Sequence, residues 1–436
     1  MPQQDGVNRR QFISRTLPGA VGAGLTTGGV FGTAAAPEDD APRIRQYRPL
    51  GRTGFQASDI CSGGPTDPNI LRAVLDAGVN YIDTAESYGR GNSEQIVGEV
   101  LKNRDRKKYF ITTKLHVEKQ PGKQEILDRF AKCRERLQTG YVDCLMMHGA
   151  PNTGQVKMES FHEAVRQLKA DGHLRFAGLS SHGPRDRENY DPMDKVLLAA
   201  AEDGRFDVML LVYNFVQREQ GERVLRACRE KNIGATLMKT NPVGKYLGVQ
   251  EEIRTIEDQG RPVPDSYEQA LKRYEQEMEA AQAFLQAGNL REPGEIRDAA
   301  IRFVLKNEAV SSVCIRFSNF ELVDASLKLS GSVLTGKDEK KLSLFRERCG
   351  RLYCRHACGE CEAACPRGVP VNTIMRYDHY FQSQQREKEA MAKYAALPGE
   401  GAAACRDCAG DCQRACPHGV PIQAMLHLAH RRLTLI

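Results

Sequence analysis

The sequence predicts an α/β fold whose larger part is a closed (β/α)8 barrel. Short apolar segments alternate with amphipathic helical patterns along the chain, as in successive βαβ units. The predicted strands end at residues 83, 114, 148, 180 and 213. This regular spacing matches a βαβ unit, which needs about 30 residues. A doubly wound open sheet is the alternative that the same alternation allows.

A short hairpin is predicted ahead of the barrel. The turn sequence Gly51-Arg52-Thr53-Gly54 separates two strand-like segments that begin at Tyr47. The barrel strands are predicted at Ile60–Gly63, Val79–Asp83, Tyr109–Lys114, Val142–His148, Phe176–Ser180, Val208–Tyr213, Ile233–Lys239 and Val310–Ile315. Helical patterns between them include Gln124–Leu137, Glu159–Asp171 and Glu222–Lys231. Eight strands favour a TIM (β/α)8 barrel, which we expect to span residues 45–335.

The predicted barrel contains one long insertion, residues 241–293, after its seventh strand. A highly charged helical pattern, Tyr267–Gln286, lies within it. Because βα loops build the active-site face of a barrel, we expect the insertion to form a lid or a rim of the site. A solvated surface segment is the alternative.

The charge and hydropathy of the chain exclude two classes of protein. The 436 residues carry a formal net charge of only +6, with acidic and basic residues interleaved, so nucleic-acid binding is not expected. No stretch of eighteen or more strongly apolar residues follows the N-terminal region, so no membrane span is expected in the mature protein.

The first 40 residues are expected to be a targeting segment rather than part of the fold. Arg9-Arg10 precedes a weakly apolar segment, Leu17–Ala36, and no acidic residue follows until Glu38. This resembles a bacterial twin-arginine export signal with a cleavage site near Ala34–Ala36. The resemblance implies recognition by the twin-arginine export machinery and a periplasmic or otherwise exported protein. A disordered tail is the alternative.

Polar side chains stand at or just after the ends of three predicted strands. Asp83 and Tyr88 follow the second barrel strand, Lys114 ends the third, and His148 ends the fourth. In a barrel these side chains converge at the C-terminal mouth, which His116 is also placed to reach. A Lys ammonium beside a Tyr lowers the phenol pKa from about 10, which makes the phenol a usable acid at neutral pH. Taken singly, each of these side chains is also common as a structural residue.

These four residues resemble the catalytic tetrad of the aldo-keto reductase family. The resemblance runs from about Tyr47 to Leu329 and includes the strings DTAESYG, which begins at Asp83, and NSEQIVGE, at Asn92–Glu99. It implies interconversion of a small carbonyl compound and an alcohol. Tyr88 would protonate the carbonyl oxygen as hydride arrives from NADP(H), Lys114 and Asp83 would tune Tyr88, and His148 would orient the substrate.

The expected nicotinamide contacts depart from the family pattern. Ser180-Ser181 stands where the family usually has Ser-Asn, Leu210 occupies the position of a usual Gln, and Arg316 replaces a glycine. The candidate NADP(H)-binding residues are Ser180, Ser181, Lys239, Arg316, Ser318 and Asn319. We expect Arg316 to offer charge-assisted hydrogen bonds to a phosphate. A structural ion pair is the other interpretation of Arg316.

Eight of the fourteen cysteines lie close together near the C-terminus. They form two blocks of four: Cys354, Cys358, Cys361 and Cys365, then Cys405, Cys408, Cys412 and Cys416. The first, third and fourth cysteines of the second block each lie 51 residues after their counterparts in the first. Four cysteines that end in Cys-Pro are the bacterial ferredoxin-type signature for [4Fe–4S] clusters. We therefore predict a small helical dicluster ferredoxin-like domain over residues 345–436, in which Cys365 ligates beside Cys405, Cys408 and Cys412. Structural zinc and disulfides are the alternatives.

The sequence therefore predicts an exported oxidoreductase of the aldo-keto reductase type. A hydride carries two electrons and a cluster carries one, so two clusters would divide a pair for a one-electron redox partner. The competing hypothesis is a non-catalytic iron–sulfur electron-transfer or scaffold protein on a degenerate barrel.

Overall fold

The computed structural model describes residues 41–117, 119–183, 190–242, 293–384, 386–406 and 408–434. The predicted export signal lies outside these residues. So does nearly all of the 241–293 insertion, including its helical pattern Tyr267–Gln286.

The predicted hairpin is confirmed and lies at the N-terminal end of the barrel. Strand β1 (Tyr47–Pro49) pairs antiparallel with β2 (Gln56–Ser58). Its turn contacts the start of a barrel strand, because Gly51 bridges Ile233. Gly51 has φ +52° and a Cβ there would lie 2.2 Å from a backbone nitrogen, so only glycine fits this contact.

Eight parallel strands form a closed barrel, which confirms the predicted fold class and rules out the open sheet. They are β3 (Ile60–Gly63), β4 (Tyr81–Asp83), β5 (Phe110–Leu115), β6 (Val142–Met147), β7 (Leu174–Ser180), β8 (Val208–Val212), β9 (Gly234–Met238) and β10 (Ser312–Ile315). Neighbours follow chain order, and β10 closes the barrel by pairing with β3 at Val313 and Ile60. Every residue of β5, β6, β8 and β9 is buried, as expected for strands covered on both faces.

Helices surround the barrel and cover its strands. They are α1 (Pro68–Asp76), α2 (Asn92–Leu101), α3 (Lys123–Leu137), α4 (Thr153–Val156), α5 (Glu159–Ala170), α6 (Met193–Asp203), α7 (Glu219–Glu230), α8 (Pro293–Leu305) and α9 (Phe320–Leu327). Helix α3 shows the pattern, because it buries Ile126, Phe130, Cys133 and Leu137 at helical spacing. Burial of a side chain such as Phe130 contributes about 1.5–3 kcal/mol.

The described residues after the barrel form further helices, α10 (Gly336–Cys349), α11 (Val371–Gln384), α12 (Glu387–Ala395), α13 (Asp411–Arg414) and α14 (Ile422–Thr434). Thr335 and Asp338 form a capping box at the start of α10. These helices share a second apolar core with Phe215, Ile296 and neighbouring residues of the barrel.

The cysteine duplication is also a structural duplication. Gly368 and Gly419, 51 residues apart, both have φ +62°. The backbone N–H of Asn372 donates to Glu362 (2.7 Å), and that of Gln423 donates to Gln413 (3.2 Å), again at an offset of 51 residues. The two copies therefore repeat the same loop and the same start of the following helix.

The duplicated segment docks on the mouth of the barrel. The Gln217 side chain donates to the carbonyl of His356 at 2.7 Å, and Asn214 donates to the Tyr353 hydroxyl at 3.4 Å. Both barrel residues follow β8, so the C-terminal helices lie at the face where barrel strands end.

Candidate active site at the barrel mouth

A cavity of about 170 Å³ opens where the barrel strands end. The residues that line it include Asp83, Tyr88, His116 and His148, which were predicted for the catalytic site, and Lys239 and Arg316, which were predicted for the cofactor. Barrel residues Gly64, His182, Leu210, Lys239, Cys314 and Arg316 complete one side. The other side comes from α11 and α12.

Lys114 lies at the centre of the predicted tetrad. Its Nζ donates to Asp83 Oδ1 at 2.5 Å and to the Thr84 carbonyl at 2.7 Å, and it lies 3.5 Å from the Tyr88 hydroxyl. Lys114 is fully buried and Asp83 is 3% exposed. Removal of either charge would leave the other buried without a partner, which would lower the free energy of unfolding by about 3–5 kcal/mol. The pair therefore fixes the ammonium beside the phenol.

Burial controls how the tetrad titrates. Burial alone would lower the pKa of Lys114, but the Asp83 carboxylate and Tyr88 hold it above its ordinary value. Burial also raises the pKa of Tyr88, and the opposing effect of Lys114 is the smaller one. Our expectation that Lys114 lowers the Tyr88 pKa was therefore wrong in net direction, because desolvation outweighs the ammonium. Tyr88 stays protonated through neutral pH, as a proton donor must.

Two histidine rings stand beside Tyr88. The His148 ring lies edge-on to the Tyr88 ring at 5.6 Å, and His116 stacks on His148 at 4.2 Å. The loop that carries His116 is held by Arg129, which donates to the His116 carbonyl at 2.8 Å and pairs with Glu86. The structure thus brings His116 to the mouth together with the tetrad.

A left-handed turn positions Tyr88. Gly89, Arg90 and Gly91 follow it with φ values of 59°, 56° and 93°. Gly91 favours glycine because its φ of +93° is one that residues with a Cβ rarely adopt, and a Cβ there would also lie 2.7 Å from the Arg136 side chain. Buried Glu94 then ties α2 to its surroundings, because it accepts from Arg136 at 2.6 Å and from Thr113 on β5 at 2.5 Å.

The six candidate cofactor residues are not all at the cavity. Lys239 and Arg316 line it. Ser180 and Ser181 are fully buried, and the Ser180 hydroxyl accepts from the Gly149 N–H (2.9 Å) and lies 3.3 Å from the Met147 carbonyl. Ser318 and Asn319 are exposed, and Asn319 caps α9 by accepting from the Leu322 N–H at 2.8 Å.

Sequence reasoning missed the part of the site that comes from the C-terminal helices. Six residues of α11 and α12 or the turn between them line the cavity: Arg376, Tyr377, Tyr380, Arg386, Glu389 and Lys393. The only sign of this contribution in the sequence was the charged segment Arg386–Lys393, which its position predicts to be a connector between the cysteine blocks. Its charges face the tetrad because the duplicated segment folds back on the barrel.

Four cysteines from both blocks border one small cavity. Cys354, Cys358 and Cys361 of the first block line it with Cys416, the last cysteine of the second. The Asn372 side chain donates to the Cys354 sulfur at 3.6 Å.

The remaining four cysteines form a second neighbourhood. Burial, together with the nearby Cys412, Cys365 and Cys408, raises the pKa of Cys405 to about 12. Backbone N–H groups lie near two of these sulfurs, Val369 to Cys365 (3.4 Å) and Gly410 to Cys408 (3.5 Å). The grouping again crosses the blocks.

Two features are absent from the residues that the structure describes. No three His, Cys, Asp or Glu side chains among them are grouped so as to hold a metal ion. Within the same ranges, no helix is both long enough and apolar enough to cross a membrane. The thirteen cysteines whose side chains the structure describes form no disulfide with one another.

A larger groove, about 450 Å³, lies between α8 and α10 and is lined by Phe303, Lys306, Glu339 and Arg346 among others. We assign chemistry to the smaller cavity because Asp83, Tyr88 and His148 line it together, with Lys114 behind them.

Comparison with known proteins gives a consistent result for the barrel. Residues 65–344 match the aldo/keto reductase family. Aldo-keto reductase YhdN of Bacillus subtilis is 24% identical over 324 residues, which cover 69% of this chain and 94% of YhdN. The uncharacterized oxidoreductase YqkF of the same organism is 30% identical over 176 residues, covering 37% of this chain but only 56% of YqkF.

A solved structure shares the fold. The holo form of an aldo-keto reductase from Bacillus halodurans superimposes with a TM-score of 0.50 at 22% identity. The match covers 68% of this chain and 95% of that protein. The likeness thus extends over the barrel architecture.

Proposed function

This chain belongs to the aldo/keto reductase family of oxidoreductases, and we propose that it interconverts a small carbonyl compound and an alcohol, exchanging electrons through two [4Fe–4S] clusters. The observation that carries the catalytic part is the buried Lys114 ammonium, bound to Asp83 at 2.5 Å and 3.5 Å from the Tyr88 hydroxyl.

The proposed chemistry uses Tyr88 as the acid in the direction of reduction. The carbonyl oxygen lies between Tyr88 and His148 and accepts hydrogen bonds from both. As the carbonyl carbon gains a hydride, the Tyr88 proton moves to the oxygen and the alcohol forms. Lys114 stabilises the phenolate that remains, and Asp83 keeps Lys114 charged. In the reverse direction, the same phenolate accepts the alcohol proton.

NADP(H) is the proposed hydride donor, and some of the described residues suit it. Lys239 offers a cationic group for phosphate at the cavity wall. Ser318 and Asn319 lie at the start of α9, where backbone N–H groups favour anions. NADPH, when bound, supplies the hydride. Ser180 and Ser181 are buried beside Leu210, which lines the cavity, because Ser180 pairs with Leu210 and the Ser181 N–H donates to the Leu210 carbonyl at 3.3 Å.

Two iron–sulfur clusters are the proposed use of the eight C-terminal cysteines. One site would have Cys354, Cys358, Cys361 and Cys416 as ligands, and the other Cys365, Cys405, Cys408 and Cys412. Thiolates are soft donors that suit iron, and hydrogen bonds to their sulfurs are common at such clusters. The clusters, when bound, carry single electrons.

Iron and sulfide analysis tests the cluster part of this proposal. We expect full-length protein purified without oxygen to contain about eight iron and about eight sulfide ions per chain, with absorbance that bleaches on reduction. Folded protein with zinc, with disulfides or with no metal would overturn the assignment.

A second candidate function, an iron–sulfur electron-transfer or scaffold protein without turnover, is favoured by one observation. The Ser180 hydroxyl is engaged within the barrel, and Leu210 presents an apolar side chain at the cavity. The packed Asp83–Lys114–Tyr88 arrangement favours the enzymatic function over the non-catalytic one. A buried ion pair adds little to the free energy of unfolding because its desolvation offsets its attraction, so stability alone does not account for it.

Export by the twin-arginine route is a further part of the proposal. It rests on Arg9-Arg10 and on the small-residue segment after them, and clusters inserted before export would need a route for folded protein. Cell fractionation of a variant with Arg9→Lys and Arg10→Lys tests it. Retention of the variant inside the cell is expected, and normal export would contradict the proposal.

A further inference from the structure

We propose that the carbonyl substrate is a small carboxylate-bearing compound, such as a 2-oxo acid, whose carboxylate binds Arg316 and Arg386 at the barrel mouth. The inference rests on the carbonyl–alcohol activity proposed above. It assigns to the C-terminal helices a role in substrate selection, in addition to their role as carriers of the cysteines.

The charge of the cavity wall is strongly positive. Lys239 and Arg316 come from the barrel, and Arg376, Arg386 and Lys393 come from α11, α12 and the turn between them. Among the described residues, the carboxylates in the wall are Asp83, which binds Lys114, and Glu389, which pairs with Arg386 and lies 3.6 Å from Lys393. The described lining thus has five cationic and two carboxylate side chains, an excess of positive charge that favours an anionic ligand.

Three of these cations, Lys239, Arg316 and Arg386, are partly buried. Burial lowers the pKa of the Arg316 guanidinium, and the charge of Arg386 lowers it further. The Arg386 side chain is only 12% exposed and stacks on Tyr380, with its guanidinium carbon 4.6 Å from the ring centre. Lys239 lies over the same ring at 4.8 Å. A carboxylate between these groups would relieve their mutual repulsion and their desolvation.

Lys239 also adopts a backbone conformation that needs compensation. Its φ is +58°, a left-handed value that costs a non-glycine residue about 1–2 kcal/mol. Strain of this kind persists where the surrounding structure holds it, commonly at binding sites. Here the strained residue, Lys239, places its side chain at the wall of the cavity.

The position of Arg316 relative to Tyr88 indicates where the carboxylate stands in the substrate. Both side chains lie against Gly64, where a Cβ would be 3.3 Å from the Tyr88 ring and 3.9 Å from Arg316 Nη1. Arg316 and the Tyr88 ring thus flank the same glycine, and the proposal places the carboxylate at Arg316 and the carbonyl at Tyr88, as the adjoining groups of a 2-oxo acid. The cavity of about 170 Å³ equals the volume of about six water molecules, which suits an acid of a few carbons.

Binding of an unreactive isostere tests the inference independently of turnover. Oxamate has the shape and charge of pyruvate, and oxamide has the shape without the charge. By calorimetry on the full-length protein, we expect oxamate to bind at least about tenfold more tightly than oxamide. Arg386→Gln and Arg316→Gln should each weaken oxamate binding by about 10–150-fold, the effect of a lost hydrogen bond to a charged group. Neither substitution should alter oxamide binding.

A matched control comes from the same helix. Lys388 is exposed on α12 and does not line the cavity, so Lys388→Gln removes the same charge without touching the site. It should leave oxamate binding unchanged. Arg386→Lys should restore only part of the affinity, because lysine lacks the planar two-pronged donor set of arginine.

Three results would overturn the inference. One is equal affinity for oxamate and oxamide. Another is equal weakening of both ligands by Arg386→Gln, which would indicate a structural role. The third is loss of NADPH affinity in Arg386→Gln with oxamate binding unchanged, which would assign these cations to cofactor phosphate. A protein that binds oxamate but reduces neither pyruvate nor pyruvamide would retain the anion site and refute the proposed activity.

Titration of Tyr380 adds a pH dependence to the same binding measurement. Burial raises the pKa of Tyr380, but the surrounding cations more than offset this and bring it to about 8. The rings of Tyr377 and His379 lie 6.2 Å and 6.5 Å from its ring. The other charged and titratable groups that line the cavity with Tyr380 are Lys239, Arg316, Arg376, Arg386, Glu389, Lys393, Tyr88, His116, His148 and His182. Above that pKa the phenolate competes with the ligand for the cations, so oxamate affinity should fall as the pH rises through about 8. In Tyr380→Phe the affinity should stay level over that range, and a fall of the same size would contradict the assignment.

Discussion

Replacement of Tyr88 by phenylalanine should lower the rate of carbonyl reduction by about 10²–10⁴-fold, the usual contribution of a positioned general acid. Only the hydroxyl is lost, and it lies 3.5 Å from Lys114 Nζ. The ring remains to pack against Gly64 and His148. We therefore expect the fold and iron content to stay the same while turnover falls. Steady-state kinetics of NADPH-dependent reduction would measure the effect.

The control for this experiment removes the same atom elsewhere. Tyr47 lies in the hairpin at the other end of the barrel, and its hydroxyl donates to the Gly78 carbonyl at 2.8 Å. Tyr47→Phe should keep full activity. If the Tyr88→Phe variant also reduced the carbonyl at the wild-type rate, Tyr88 would not be the acid. That result would favour the non-catalytic interpretation of the barrel.

Substitution of single cysteines should remove whole clusters, in pairs that cross the sequence blocks. Cys361→Ser and Cys416→Ser should each leave about four of about eight iron atoms and remove the same cluster, since both residues line one cavity. Cys365→Ser and Cys408→Ser should remove the other cluster. The double variant Cys361→Ser with Cys416→Ser should lose no more iron than either single one, whereas Cys361→Ser with Cys365→Ser should lose nearly all.

Iron and sulfide assays with electron paramagnetic resonance of the reduced protein would identify the cluster lost in each variant. Cys228→Ala serves as the control, because Cys228 is buried in the barrel beside Met209 and should leave the iron content unchanged. If Cys416→Ser matched Cys408→Ser rather than Cys361→Ser, the ligands would follow the blocks and the crossed assignment would be wrong.

The barrel could be predicted from the sequence because its signals are local and repeat. Each predicted strand lies within two residues of the observed one, since a buried parallel strand is a short apolar run between helical patterns. Asp83, Lys114 and His148 could be placed for the same reason: a residue at a strand end points to the barrel mouth whatever the rest of the chain does.

The rest of the site depends on contacts between distant parts of the chain. Gln217 meets His356 across 139 residues, and no local pattern reports that contact. It brings Arg376, Tyr380 and Arg386 to the mouth, although their sequence suggests a connector. The net pKa direction of Tyr88 was missed for a related reason, because the extent of its burial depends on the helices that cover it.

One measurement tests the central claim, that hydride chemistry in the barrel exchanges electrons with the C-terminal clusters. Oxidised full-length protein, loaded with iron and free of oxygen, is mixed with NADPH while the cluster absorbance is recorded. The proposed function predicts that the absorbance bleaches and that addition of a carbonyl substrate reverses the bleaching. Clusters that bleach with dithionite but remain oxidised with NADPH, and with the alcohol in its place, would contradict the claim.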